Sequence, residues 1–105
     1  MIQVALETRD GWQVVVVAGR ADAEAADELE TALRTAIDRH PKVAADFRSL
    51  DYISSAGLRA VLQAARAAES RSAEFAVCSL SDPVRRVFDM SGMRHVLRIY
   101  GELPC

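Results

Sequence analysis

Ile2, Val4 and Leu6 fall on alternate positions of "IQVALETR", a period of two that predicts a half-buried strand. Asp10-Gly11 is a hairpin turn signal, and "WQVVVVAG" after it predicts a second strand whose unbroken valines imply cover on much of both faces. The period then changes. Over "AEAADELETALRTAIDRH", Ala25, Ala26, Leu29, Leu33, Ala36 and Ile37 recur at spacings of three and four, predicting a helix capped by Asp22 and stopped by Pro41. "KVAADF" predicts a short buried strand, "SLDYISS" a loop, and the next stretch a helix with Leu58, Val61, Leu62 and Ala65 as its apolar stripe. "AEFAVCSL" predicts another strand. "SDPVRRVFDMSG" predicts a short helix, with Asp82 at the cap, Pro83 at the first helical position, Gly92 at the stop and Val84, Val87 and Phe88 facing inward. "HVLRIYG" predicts a last strand. The order β-β-α-β-α-β-α-β implies an α/β fold, a mixed sheet with packed helices, in one domain over residues 1–105. The two strands flanking the second helix are expected to be parallel, through a right-handed crossover.

Charge removes several function classes. With 13 basic and 15 acidic residues the net charge is -2, without the concentrated positive charge that nucleic-acid binding needs. Arg85, Arg86, Arg94 and Arg98 form the nearest basic cluster, expected to be a solvated face. The Gly-x4-Gly-Lys-Ser/Thr phosphate loop is absent, and metal ligands do not occur at paired spacing, so no cofactor is expected. Cys78 lies in an apolar run and Cys105 ends the sequence, which predicts a buried thiol and a terminal one. There is no leader pattern and no apolar stretch near the length of a membrane span, so a cytoplasmic location without membrane attachment is expected.

Catalytic chemistry is thinly represented. His40 and His95 are the two histidines, and Ile53 stands where a nucleophile elbow before Ser55 would need its first glycine. An enzyme is therefore not expected. The stretch "YISSAGLRAVL" is different. A serine before a helix ordinarily serves as its N-cap, but Ala56 and Gly57 leave both hydroxyls accessible. A glycine in a first turn also costs helix stability relative to alanine, suggesting close approach to the backbone there.

"DFRSLDYISSAGLRAVL" resembles the signature of STAS domains, the sulfate-transporter and anti-sigma-factor-antagonist family. "SLSDPVRRVFDMSGMRHVLRIY" is similar to the C-terminal stretch of their single-domain anti-sigma factor antagonists, and "VVVVAGRADAEAADELETAL" fits their strand, glycine turn and first helix. The resemblance implies a single STAS domain with no catalytic residues. It implies an antagonist that binds an anti-sigma factor, itself a serine kinase, releases a sigma factor, and is switched off by phosphorylation and restored by a phosphatase. The family's phosphorylated serine aligns with Ser55, with Ser54 a second candidate acceptor. The implied partner surface comprises Gly19, Arg20 and Asp22 together with Ser54, Ser55, Ala56, Gly57 and Arg59. Two departures stand out: Ser54 replaces the family's acidic residue, and Ala56 replaces its second hydroxyl. They leave open the alternative of a non-phosphorylated STAS subunit in a transport or sensory complex.

Overall fold

The computed structural model describes residues 1–95 and 97–101. Its elements are β1 (Ile2–Arg9), β2 (Trp12–Ala21), α1 (Ala26–Arg39), β3 (Lys42–Asp46), β4 (Leu50–Ile53), α2 (Ser55–Ser70), β5 (Glu74–Cys78), α3 (Asp82–Ser91), a 3-10 turn (Met93–His95) and β6 (Arg98–Tyr100). The main sheet runs β1-β2-β3-β5-β6. β1 pairs antiparallel with β2, while β2, β3, β5 and β6 are parallel, including the expected β3–β5 pair.

β4 falls inside the segment expected to be a loop. β3 leaves β2 once Asp46 has paired with Val16, although β2 continues for five more residues. β4 takes over there, pairing in parallel with Gly19, Arg20 and Ala21 across a register shift at Gly19/Arg20. The free backbone groups at the end of a long strand are thus satisfied by a second short ladder.

The helices cover one face of the sheet. Val15, Val17, Val43, Ala45, Phe75 and Val77 point into a core completed by Leu29, Leu33 and Ile37 of α1, Val61 of α2, and Val84 and Phe88 of α3. The reverse face carries a smaller cluster of Val14, Ala44 and Cys78, flanked by Trp12 and Val16. Cys78 is fully buried and is not a free thiol, which corrects the expectation of a buried thiol; Cys105 lies outside the described residues.

Three helix boundaries or faces depart from expectation. α1 begins at Ala26, because residues 23–25 form a turn closed by Asp22, whose carbonyl and carboxylate both accept from the Ala25 N–H. Ser81 takes the N-cap position of α3 without a side-chain capping bond, leaving Asp82 as its first residue. The buried face of α2 is Gly57, Ala60, Val61, Ala64 and Ala68, with Leu58, Leu62 and Ala65 only partly buried. Small side chains let α2 lie close against α1 and the sheet, and the larger leucines are displaced to the rim. Gly92 ends α3 at φ 77, the left-handed stop expected of it.

Candidate functional site

Parallel strands feeding helices place α1, α2 and α3 with their N-termini at one edge of the sheet, beyond the C-terminal ends of β2, β4 and β5. Both serines lie there. Ser54 is the N-cap of α2, at φ -85 and ψ 172. Its Oγ accepts from the Gly57 N–H at 3.1 Å and donates to the Ala21 carbonyl at 3.0 Å. Its own N–H donates to the same carbonyl at 2.9 Å. Ser54 is therefore committed to the fold. Ser55, the first residue of α2, is exposed, and no described residue bonds to its hydroxyl.

The electrostatics around Ser55 favour an incoming anion. α1 has Asp27 and Glu28 in its first turn and α3 has Asp82, but α2 has no acidic residue in its first turn. The positive end of the α2 dipole is consequently uncompensated by side chains. Arg59, one turn on, is exposed and enters no ion pair among the described residues.

The β2–β4 ladder brings the Gly19–Asp22 segment beside the serines, so all eight residues expected on the partner surface gather at this edge. Gly19 sits at φ 99, and a Cβ there would lie 2.7 Å from the Met1 carbonyl oxygen, so glycine is required on both counts. The Arg20 guanidinium stacks 4.4 Å from the Tyr52 ring centroid. The hydrogen bond from the Ala25 N–H holds the Asp22 carboxyl below the usual aspartate range, and the Met1 ammonium, 3.4 Å away, adds to this. Gly57 is a correction. It is buried, and a Cβ there would lie 2.8 Å from Ile53 Cγ1 and 2.9 Å from the Ala21 oxygen. The close approach inferred from this glycine is made by the protein's own β2.

Tyr52, 38% exposed beneath Arg20, was missing from the expected surface. The signal for it was the short β4, whose exposed Asp51 and Tyr52 stand between buried Leu50 and Ile53. The two histidines are not brought to Ser55. His40 and His95 precede the parallel strands β3 and β6 and so lie at the opposite edge of the sheet. The expected arginine cluster is divided: Arg98 pairs with Glu74 at 3.2 Å near the start of β5, whereas Arg85 lies near the start of α3. Among the described residues no group of acidic, histidine or cysteine side chains could hold a metal ion, and no helix is long and apolar enough to cross a membrane.

The STAS domain family model matches residues 3–104. BtrV of Bordetella bronchiseptica, named as a candidate anti-sigma factor antagonist, is 32% identical over 99 residues, covering 93% of this chain and 85% of that protein. The crystal structure of an anti-sigma factor antagonist from Mycobacterium paratuberculosis superimposes with a TM-score of 0.83 at 26% identity, covering 98% of this chain and 88% of the other. SpoIIAA, an anti-sigma factor antagonist solved in its unphosphorylated form, gives 0.72 at 25% identity, covering 94% and 87%. The family match over almost the entire sequence and these relatives agree: the chain belongs to the STAS domain family, alongside its anti-sigma factor antagonists.

Proposed function

We propose that this chain is an anti-sigma factor antagonist. It binds an anti-sigma factor with serine kinase activity, frees the sigma factor held by that protein, is switched off by phosphorylation of Ser55, and is restored by a phosphatase. The observation that carries this reading is the division of labour between adjacent serines: Ser54 is used up in capping and strand contacts, while Ser55 is exposed at a helix start lacking acidic neighbours. Its seat is the edge formed by Gly19, Arg20 and Asp22 with Ser54, Ala56 and Arg59, above the buried Gly57.

Phosphorylation adds about -1.5 to -2 charge. At the start of α2 that charge meets open backbone N–H groups, a favourable interaction of about 0.3–1 kcal/mol, with Arg59 at i+4 as a further counter-charge. The fold therefore survives modification. The partner does not tolerate it, because a buried charge left unpaired in a contact surface costs about 3–5 kcal/mol. That corresponds to roughly two to four orders of magnitude in affinity. Ser54 also accounts for the loss of the acidic residue: serine and aspartate are comparably good N-caps, and the serine additionally donates to the Ala21 carbonyl, which a carboxylate cannot do.

Calorimetry with the cognate anti-sigma factor tests the proposal. The wild-type chain binds, whereas Ser55→Asp and the phosphorylated protein lose about two to four orders of magnitude with nearly unchanged melting temperature. Equal affinity of the wild type and Ser55→Asp, together with no phosphate on Ser55 after incubation with the kinase and ATP, would assign the chain instead as a non-phosphorylated STAS subunit of a transport or sensory assembly.

A further inference from the structure

A cavity of about 340 Å³ lies between α1 and β1, the strand at which the sheet ends. Its origin is in the sequence. Val4 and Leu6 pair with Val17 and Val15 of β2, and directly opposed residues share a sheet face, here the one that α1 covers. Over them α1 presents Ala32 and Ala36, two small residues one turn apart. Methyl groups leave open the space that leucines would fill, and Leu6 stays 64% exposed. An apolar molecule that covered Leu6 and filled this space would be stabilised by the area it removed from water.

One end of the cavity is polar. Gln13 of β2 meets Arg39 and His40 there, because Gln13 pairs with Val43, which follows the end of α1 closely. Gln13 is 9% exposed, and a polar group so buried ordinarily has its bonds satisfied. Its Nε2 donates to the Glu7 carbonyl at 3.2 Å, which fixes the orientation of the amide. Its Oε1 accepts no bond among the described residues. Since no fully enclosed side-chain oxygen there lacks a partner, this one is open to the cavity that Gln13 lines. Arg39 is exposed and its guanidinium reaches no acceptor among the described residues, while the adjacent Asp38 is taken by Arg71 at 3.5 Å. The negative end of the α1 dipole is its one counter-charge among them, a partial one.

We infer that this cavity binds a small amphiphile, a medium-chain hydroxycarboxylate. The hydrocarbon tail covers Leu6 and fills the space beneath Ala32 and Ala36, the hydroxyl donates to Gln13 Oε1, and the carboxylate pairs with the Arg39 guanidinium. Mainly apolar walls with a few placed polar groups, at this volume, are the usual make-up of a small-molecule site. The polar end lies at the opposite edge of the sheet from Ser55, so the inference is independent of the role given to that serine.

The test titrates the isotopically labelled full chain with 3-hydroxyoctanoate, octanoate, 1-octanol and 3-hydroxybutyrate at constant pH and ionic strength, following methyl and side-chain amide resonances. 3-Hydroxyoctanoate should produce saturable shifts at Val4, Leu6, Ala32, Ala36 and the Gln13 amide. Octanoate lacks the hydroxyl, 1-octanol the carboxylate and 3-hydroxybutyrate the tail, and each should bind about 10-fold more weakly or worse. Arg39→Gln should erase the preference over 1-octanol, whereas Arg66→Gln on α2 should leave binding unchanged. Ala32→Leu fills the cavity from a partly buried position and should abolish binding. Octanoate or 1-octanol binding as tightly as 3-hydroxyoctanoate, shifts centred on other residues, or no saturation would overturn the assignment. So would β1 shifts that follow protein concentration together with a doubled mass in sedimentation, which would give this edge to a second copy of the chain. The wild-type titration decides even where a variant fails to fold.

Discussion

Adjacent serines with the same chemistry have different surroundings, and the difference can be measured residue by residue. Ser54→Ala removes the bond to the Gly57 N–H and should cost about 1 kcal/mol. Loss of the donor to Ala21 adds little, since that carbonyl still accepts from the Ser54 N–H. Ser55→Ala removes an exposed hydroxyl without a fold contact and should change stability by no more than about 0.5 kcal/mol. Urea midpoints of the two variants check the assignment, and equal losses would refute it. At this scale the sequence was informative: polar residues before an apolar helical run announce a cap, and the two serines differ by one position along that run. Tyr52 was hidden because its role depends on Arg20, which lies on another strand.

Among elements, α2 shows what periodicity conveys and what it conceals. Leu58, Val61, Leu62 and Ala65 mark a helix correctly, but the buried face is rotated toward glycine and alanine, because the distance between packed elements is set in three dimensions. Gly57→Ala tests this spacing. Alanine gains about 1 kcal/mol in helix propensity, but its methyl would press on the Ala21 carbonyl oxygen and Ile53. Overpacking of this kind costs about 1–3 kcal/mol, and a backbone oxygen yields less than a flexible side chain. Clash should therefore win, and the thermal midpoint should fall; a rise would show that α2 can lift from the sheet without penalty. β4 was illegible for a related reason. It has four residues, Leu50 and Ile53 are buried around two exposed ones, and it becomes a strand because β2 outlasts β3.

For the molecule as a whole, the element order implied the layered α/β architecture, whereas the grouping of the Gly19–Asp22 turn with the serines was implied only by the family resemblance. Phe88 of α3 meets Phe47 edge-on at 6.4 Å between ring centroids, and both are fully buried, which ties the last helix to the segment between β3 and β4. Phe88→Ala should cost about 3–5 kcal/mol. If this is one cooperative unit, circular dichroism and the fluorescence of Trp12, on the sheet's other face, should lose signal at one common, lowered midpoint. Separate midpoints would divide the domain into two units. The Ala21 carbonyl has a wider consequence. It ends β2, accepts both the amide and hydroxyl hydrogens of Ser54, and abuts Gly57, so the serine segment cannot swivel unless the strand terminus moves with it. With no hinge at this junction, a chemical mark on the neighbouring hydroxyl has no relay to travel through: a binding protein would have to sense the mark by touching it.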